Sequence, residues 1–178
     1  MTRLTVLFIA ILVAIIQACA AFHPPEGLYQ VELGQLLLTD IDGEPNEIAH
    51  LTPKDGSPAQ LWRLAHEEED RFTLRNEKSD LYLSFHGDPE PNKFLTVSRK
   101  PSSWKGSRAG DRLFIETVEK FDGERLVADI SPIRIWPPRV SLAWPRKTPD
   151  QAWYFHLVDE FEQPNQYRLP YKKAGRCY

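Results

Sequence analysis

The apolar residues of this chain fall in short runs, each bounded by Gly, Pro, Asn, Asp or Ser, and the spacing of a buried helix face is poorly represented throughout. The runs group into three sets of four. The first is Leu28 to Val31, Leu36 to Thr39, Glu47 to Leu51 and Leu61 to Leu64; the second is Phe72 to Leu74, Leu81 to Phe85, Phe94 to Val97 and Trp104-Lys105. The third is Leu113 to Ile115, Leu126 to Ile130, Val140 to Trp144 and Ala152 to Leu157. Runs of this length with turn residues between them predict an all-β chain.

The sets also repeat. Gln60-Leu61-Trp62 returns as Gln151-Ala152-Trp153, and Ser103-Trp104-Lys105 places a Trp between them without the Gln. Trp62 to Trp104 spans 42 residues and Trp104 to Trp153 spans 49. The openings Gly27-Leu28-Tyr29, Asp70-Arg71-Phe72 and Asp111-Arg112-Leu113 keep a similar period. A period of this size marks an internal repeat. Three units of four strands predict a β-trefoil with pseudo-threefold symmetry, in which hairpins close a short barrel and leave few free edges. Trp62, Trp104 and Trp153 occupy matching strand positions and are expected in the core rather than as binding platforms. The third unit is the longest, and much of its extra length lies in the loop from Ser131 to Arg139, which holds Pro132, Pro137 and Pro138.

The ends read differently from the middle. Arg3 followed by an almost wholly apolar run from Leu4 to Ile16, then Ala18-Cys19-Ala20, predicts a signal peptide over residues 1–20. That run is shorter than the roughly 20 residues of a membrane span. A lipid-attachment box ending on Cys19 fits less well because of Gln17. The expected product is a secreted, extracellular chain with one domain over 21–160 and a basic tail over 161–178. That product carries 21 basic and 25 acidic residues, so neither nucleic acid nor an anionic membrane is expected as a partner. Cys177 is then its one cysteine, which excludes an intrachain disulfide. A monomer is expected, with Cys177 available for pairing between molecules.

Motifs of catalysis are missing: no Gly-x-Ser-x-Gly, no phosphate-binding Gly loop and no His-Glu-x-x-His occurs. The five His are scattered without ligand spacing, so no metal and no cofactor is expected. The acidic groups Glu67-Glu68-Glu69-Asp70 and Asp40 with Asp42 read as turns. These observations point to a binding protein rather than an enzyme.

The Gln-x-Trp pair, with Gly27-Leu28-Tyr29-Gln30-Val31 and Leu81-Tyr82-Leu83, resembles the ricin-B type lectin trefoil over residues 27–158. In that family each unit places an Asp after its second strand, an aromatic residue on its third and Gln-x-Trp at its end, and Asp and aromatic hold one sugar ring. The resemblance implies glycan contacts at Asp129, Trp144 and Gln151 in unit three. In unit one it implies Asp40 and Gln60, with His50 the nearest ring. Unit two has Ser84 where the Asp is expected. The chain is also similar to the small fungal trefoil inhibitors of serine proteases, through Leu51-Thr52-Pro53-Lys54 and Pro58-Ala59-Gln60-Leu61-Trp62. That second resemblance implies a secreted protease as partner and an exposed loop as the reactive element. Three prolines stiffen Ser131 to Arg139, and Arg134-Ile135, with Trp136 as anchor, is the bond such a loop would present. Against this, the alternation of Ile133, Ile135 and Trp136 predicts that they pack under the barrel.

Overall fold

The computed structural model describes residues 24–68 and 70–158. The expected signal peptide over 1–20 and basic tail over 161–178, with Cys177 and Glu69, lie outside the described residues. Among the described residues there are twelve strands, four to each unit. Unit one contains β1 (Gly27–Leu33), β2 (Leu36–Thr39), β3 (His50–Thr52) and β4 (Trp62–Glu67). Unit two contains β5 (Arg71–Asn76), β6 (Tyr82–Ser84), β7 (Thr96–Ser98) and β8 (Trp104–Ala109). Unit three contains β9 (Arg112–Thr117), β10 (Val127–Ile130), β11 (Val140–Ala143) and β12 (Tyr154–Leu157). Short 3-10 turns at Pro58–Gln60 and Pro149–Gln151 precede the Trp of units one and three.

The outer strands of the units form a six-stranded barrel in the order β12-β1-β4-β5-β8-β9. Leu113 and Trp153 close it by exchanging N–H···O bonds of 2.9 Å each. The inner strands form three hairpins, β2–β3, β6–β7 and β10–β11. These meet around the pseudo-threefold axis in a ring of backbone bonds. Ala49 N–H donates to Leu95 O (2.9 Å), Leu95 N–H to Val140 O (2.9 Å), and Val140 N–H to Ala49 O (3.0 Å). Outside this ring Asn46 and Asn92 donate to Val97 O and Leu142 O, at 2.7 Å each. Both adopt left-handed backbone, φ 73° and 67°, which asparagine tolerates better than most side chains. The third equivalent place is held by Pro137, which has no N–H to give.

The core consists of the inward residues of all twelve strands, and its largest members are Trp62, Trp104 and Trp153, each fully buried. A buried indole N–H needs an acceptor. Each finds a carbonyl on the second strand of its own unit: Trp62 Nε1 to Leu38 O (2.9 Å), Trp104 Nε1 to Leu83 O (3.1 Å) and Trp153 Nε1 to Ala128 O (2.9 Å). These three bonds fix the internal alignment, making Leu38, Leu83 and Ala128 equivalent.

All twelve expected strands are found, with shifted ends. β3 is limited to His50–Thr52, because Glu47 and Ala49 bond across to neighbouring hairpins instead. β8 runs on to Ala109, paired residue for residue with β9, although Gly106, Ser107 and Arg108 carry no apolar alternation.

Replacing Trp62 by Ala removes a large buried ring and strands the Leu38 carbonyl, at a cost of about 3–5 kcal/mol. Urea unfolding of Trp62→Ala, Trp104→Ala and Trp153→Ala checks this; a loss below about 1 kcal/mol in all three would remove the indoles from the core's foundation.

Candidate binding site of unit three

The residue after each Trp acceptor faces the outer end of its hairpin, and here the three units differ. Unit three presents Asp129, only 7% exposed. Its Oδ1 accepts the Ile130 N–H at 2.7 Å. Its Oδ2 accepts Gln151 Nε2 at 2.8 Å and Arg146 Nη2 at 3.1 Å. Gln151 is buried and holds the strand-to-strand connection in shape: its Oε1 takes the Arg146 N–H (2.7 Å) and its Nε2 also reaches Trp144 O (3.1 Å). Arg146 further bridges to Asp150 at 3.0 Å. The Asp150 carboxyl is held below its ordinary value, first by the Thr148 hydroxyl and then by its own backbone N–H and the Arg146 charge.

Beside this cluster Trp144 leaves 43% of its surface to solvent. Phe121, on the β9–β10 loop, meets it edge-on with ring centres 5.6 Å apart. The chemistry available is therefore a carboxylate with about one of its four acceptor positions unused, a guanidinium with several free donors, and an indole face fixed by a second ring. Such a set suits a ring bearing hydroxyls on its edge and C–H bonds on its face.

Unit one is different in kind. Thr39, not Asp40, stands where Asp129 stands, because Leu38 is the Trp62 acceptor. Thr39 Oγ1 lies 2.7 Å from Thr52 Oγ1, and Gln60 Nε2 donates to Thr52 Oγ1 (2.8 Å) and Pro53 O (2.7 Å). Gln60 Oε1 takes the Asp55 N–H at 2.9 Å, the same brace that Gln151 gives Arg146. Asp40 is 1% exposed and its Oδ1 caps the Gly43 N–H at 3.0 Å. The expected pairing of Asp40 with Gln60 is thus corrected by one residue of register. In unit two Ser84 bonds Ser102 at 2.6 Å, a smaller polar pair.

The loop from Ser131 to Arg139 also departs from expectation. Ile133 and Trp136 are 51% and 71% exposed, Ile135 is exposed, and none of them packs under the barrel. The hairpins already fill the space around the axis, so the loop has no layer to lie on. It leaves β10 through one neck bond, Ser131 N–H to Arg139 O at 2.9 Å, and turns tightly at Arg134, where Ile135 N–H donates to Ile133 O at 3.0 Å.

Arg146 aligns with Asp55 through Lys54-Asp55-Gly56-Ser57-Pro58-Ala59-Gln60 and Pro145-Arg146-Lys147-Thr148-Pro149-Asp150-Gln151, a match that the opposite charges of Arg and Asp conceal in the sequence. Among the described residues no three His, Cys, Asp or Glu side chains come together to hold a metal ion, and no helix is long and apolar enough to cross a membrane.

No protein-family model and no curated protein matches the chain. Solved structures do match in fold. The Rhizoctonia solani agglutinin superposes with a TM-score of 0.68 at 20% identity, over 78% of this chain and 100% of its own. The Macrolepiota procera ricin B-like lectin, solved with lactose, gives 0.65 at 20% identity over 77% of this chain and 100% of its own. The designed threefold-symmetric protein ThreeFoil gives 0.64 at 14% identity over 75% of this chain and 100% of its own. The chain is a β-trefoil, similar to these proteins in fold.

His50, the ring nearest the aromatic place in unit one by sequence, stands instead where Ser141 stands in unit three, and Pro53 matches Trp144; His50 is half-buried and pairs with Thr39 in register. Its Nδ1 is buried without a partner. Burial lowers its pKa from the ordinary imidazole value; Asp42 acts against this and the Arg139 charge adds to it. Protons therefore bind the unfolded chain first. The contribution of His50 to stability is full above about pH 6.5 and is lost as pH falls below that value. Thermal melts between about pH 7 and pH 5 should show a steeper loss for the parent than for His50→Thr, which copies Thr96 of unit two. Equal slopes would exclude His50 as the source.

Proposed function

We propose that this chain is a secreted, non-catalytic carbohydrate-binding protein whose sugar site is that of unit three. The observation that carries the reading is the break in symmetry: one unit of three sets a nearly buried carboxylate, braced by Gln151 and Arg146, beside an exposed Trp. The core is repeated three times with little change, so the core does not explain why Asp129 and Trp144 occur once. The similarity in fold to an agglutinin and to a lectin solved with lactose supports the same reading. In it, Trp144 covers the apolar face of a sugar ring, and Asp129 and Arg146 take its hydroxyls. A glycan array followed by calorimetry on the purified chain tests it. Trp144→Ala and Asp129→Asn should each weaken binding on the order of 10- to 100-fold, as loss of a stacking face or a charged acceptor does. Unchanged circular dichroism keeps this separate from unfolding, and binding equal to the parent in both variants refutes the site.

A second reading is favoured by the exposure of the loop. Arg134 sits at the turn of a proline-stiffened, neck-closed segment, flanked by exposed Ile133, Ile135 and Trp136. A stiff loop loses little entropy on docking, and an Arg at its tip suits a protease whose primary pocket carries a carboxylate. In this reading Arg134-Ile135 is the presented bond. Trypsin-like proteases should be inhibited by the parent and at least tenfold less by Arg134→Glu; no inhibition by the parent, or equal inhibition by both, removes the loop as a reactive site.

A further inference from the structure

The loops that carry Phe121 and Arg146 also border a cleft of about 300 Å³, which the Asp129–Trp144 contacts do not use. Its charged lining is Glu116, Lys120, Glu124, Arg125 and Lys147. Phe121 follows Lys120 and packs on Trp144, while Arg146 precedes Lys147 and reaches Asp129, so cleft and site share two loops. The two carboxylates are unlike each other: Glu116 is engaged by the Ser107 hydroxyl, and Glu124 is exposed. Lys120, Arg125 and Lys147 make no ion pair among the described residues, in contrast to Arg146 next to them. Arg125 Nε is closed off from water and has no hydrogen-bond partner. The Arg125 side chain as a whole is only part-buried, so the residue still borders the cleft.

Lys147 is the second independent sign. Its φ of 55° is left-handed, and unit one holds Gly56 at the matching place with φ 76°. A glycine takes this backbone without penalty, whereas a side chain is strained there. Strain of this sort collects at ligand clamps. The matching cleft of unit one, lined by Glu32, Gln35, Lys54 and Gly56, holds a single Lys and no Arg.

We infer that the cleft of unit three receives the acidic group of an anionic sugar, a carboxylate or a sulfate, whose ring lies against Trp144. The inference rests on the sugar-site reading and adds a ligand class to it. Arg125 and Lys147 are the determinants, Arg125 by hydrogen bonds from its guanidinium and Lys147 as a point charge.

Calorimetric titration of the full chain with a neutral oligosaccharide, its uronic-acid form and its sulfated form tests this. At least one acidic form should bind about tenfold more tightly than the neutral one, and added salt should shrink the difference. Which arm gains identifies the group. Lys147→Gly, a change that relaxes the backbone, and Arg125→Gln should each reduce that preference while leaving neutral binding intact. Neutral binding that depends on Trp144 but shows no gain for either acid overturns the inference and spares the sugar site. A preference unchanged in both variants also overturns it. Absence of binding to all three sugars overturns the inference and counts against the sugar-site reading together.

Discussion

The fold hangs on a bond made three times, from an indole N–H to a carbonyl on its unit's second strand. Four short strands cannot bury enough surface to stand alone. Each Trp belongs to the barrel by its backbone and to the hairpin by its side chain, so it welds the two layers. The demand of a fully buried N–H for an acceptor then fixes how far the hairpin lies along the barrel. The ring of Ala49, Leu95 and Val140 does the same between units. Together these bonds determine a register with no freedom to slip, since a shift of one residue would turn the apolar face outward.

Outside that frame the units are free to differ, and they do. Moving outward from the Trp acceptors, unit one has a neutral Thr39–Thr52–Gln60 chain, unit two a Ser84–Ser102 pair, and unit three the charged Asp129–Gln151–Arg146 cluster. A polar substitution there leaves the threefold core alone, because the polar layer is bonded mainly within its own unit. This is how one scaffold keeps a common interior while a single unit holds the charge and the exposed ring.

The strands were legible because their signal is local: short apolar runs, turn residues and a repeated Trp. Placement of the polar residues was not, because it depends on a one-residue register that only the indole bonds reveal. Asp40 illustrates this, since Thr39-Asp40-Ile41 and Ala128-Asp129-Ile130 look alike in sequence but stand one residue apart in the fold. Arg146 escaped notice because the Arg matches an Asp in unit one. The Ile133–Ile135 alternation misled for a physical reason, as alternation predicts a buried face only where another layer is available to cover it. Here the neighbouring hairpins had already closed that layer.

The neck of the Ser131–Arg139 loop separates what lies beyond it from what lies below. One bond shuts the base, and the returning arm is stitched to unit one where Leu51 N–H meets Pro138 O at 2.8 Å. From Pro132 to Trp136 the side chains are exposed to water. Lengthening a loop held at both ends costs little, about 0.6 kcal/mol for each doubling. The segment is therefore an exchangeable cassette: its sequence and length can drift, or be swapped, while the interior beneath it stays the same, so this trefoil can change its surface here faster than it can change shape.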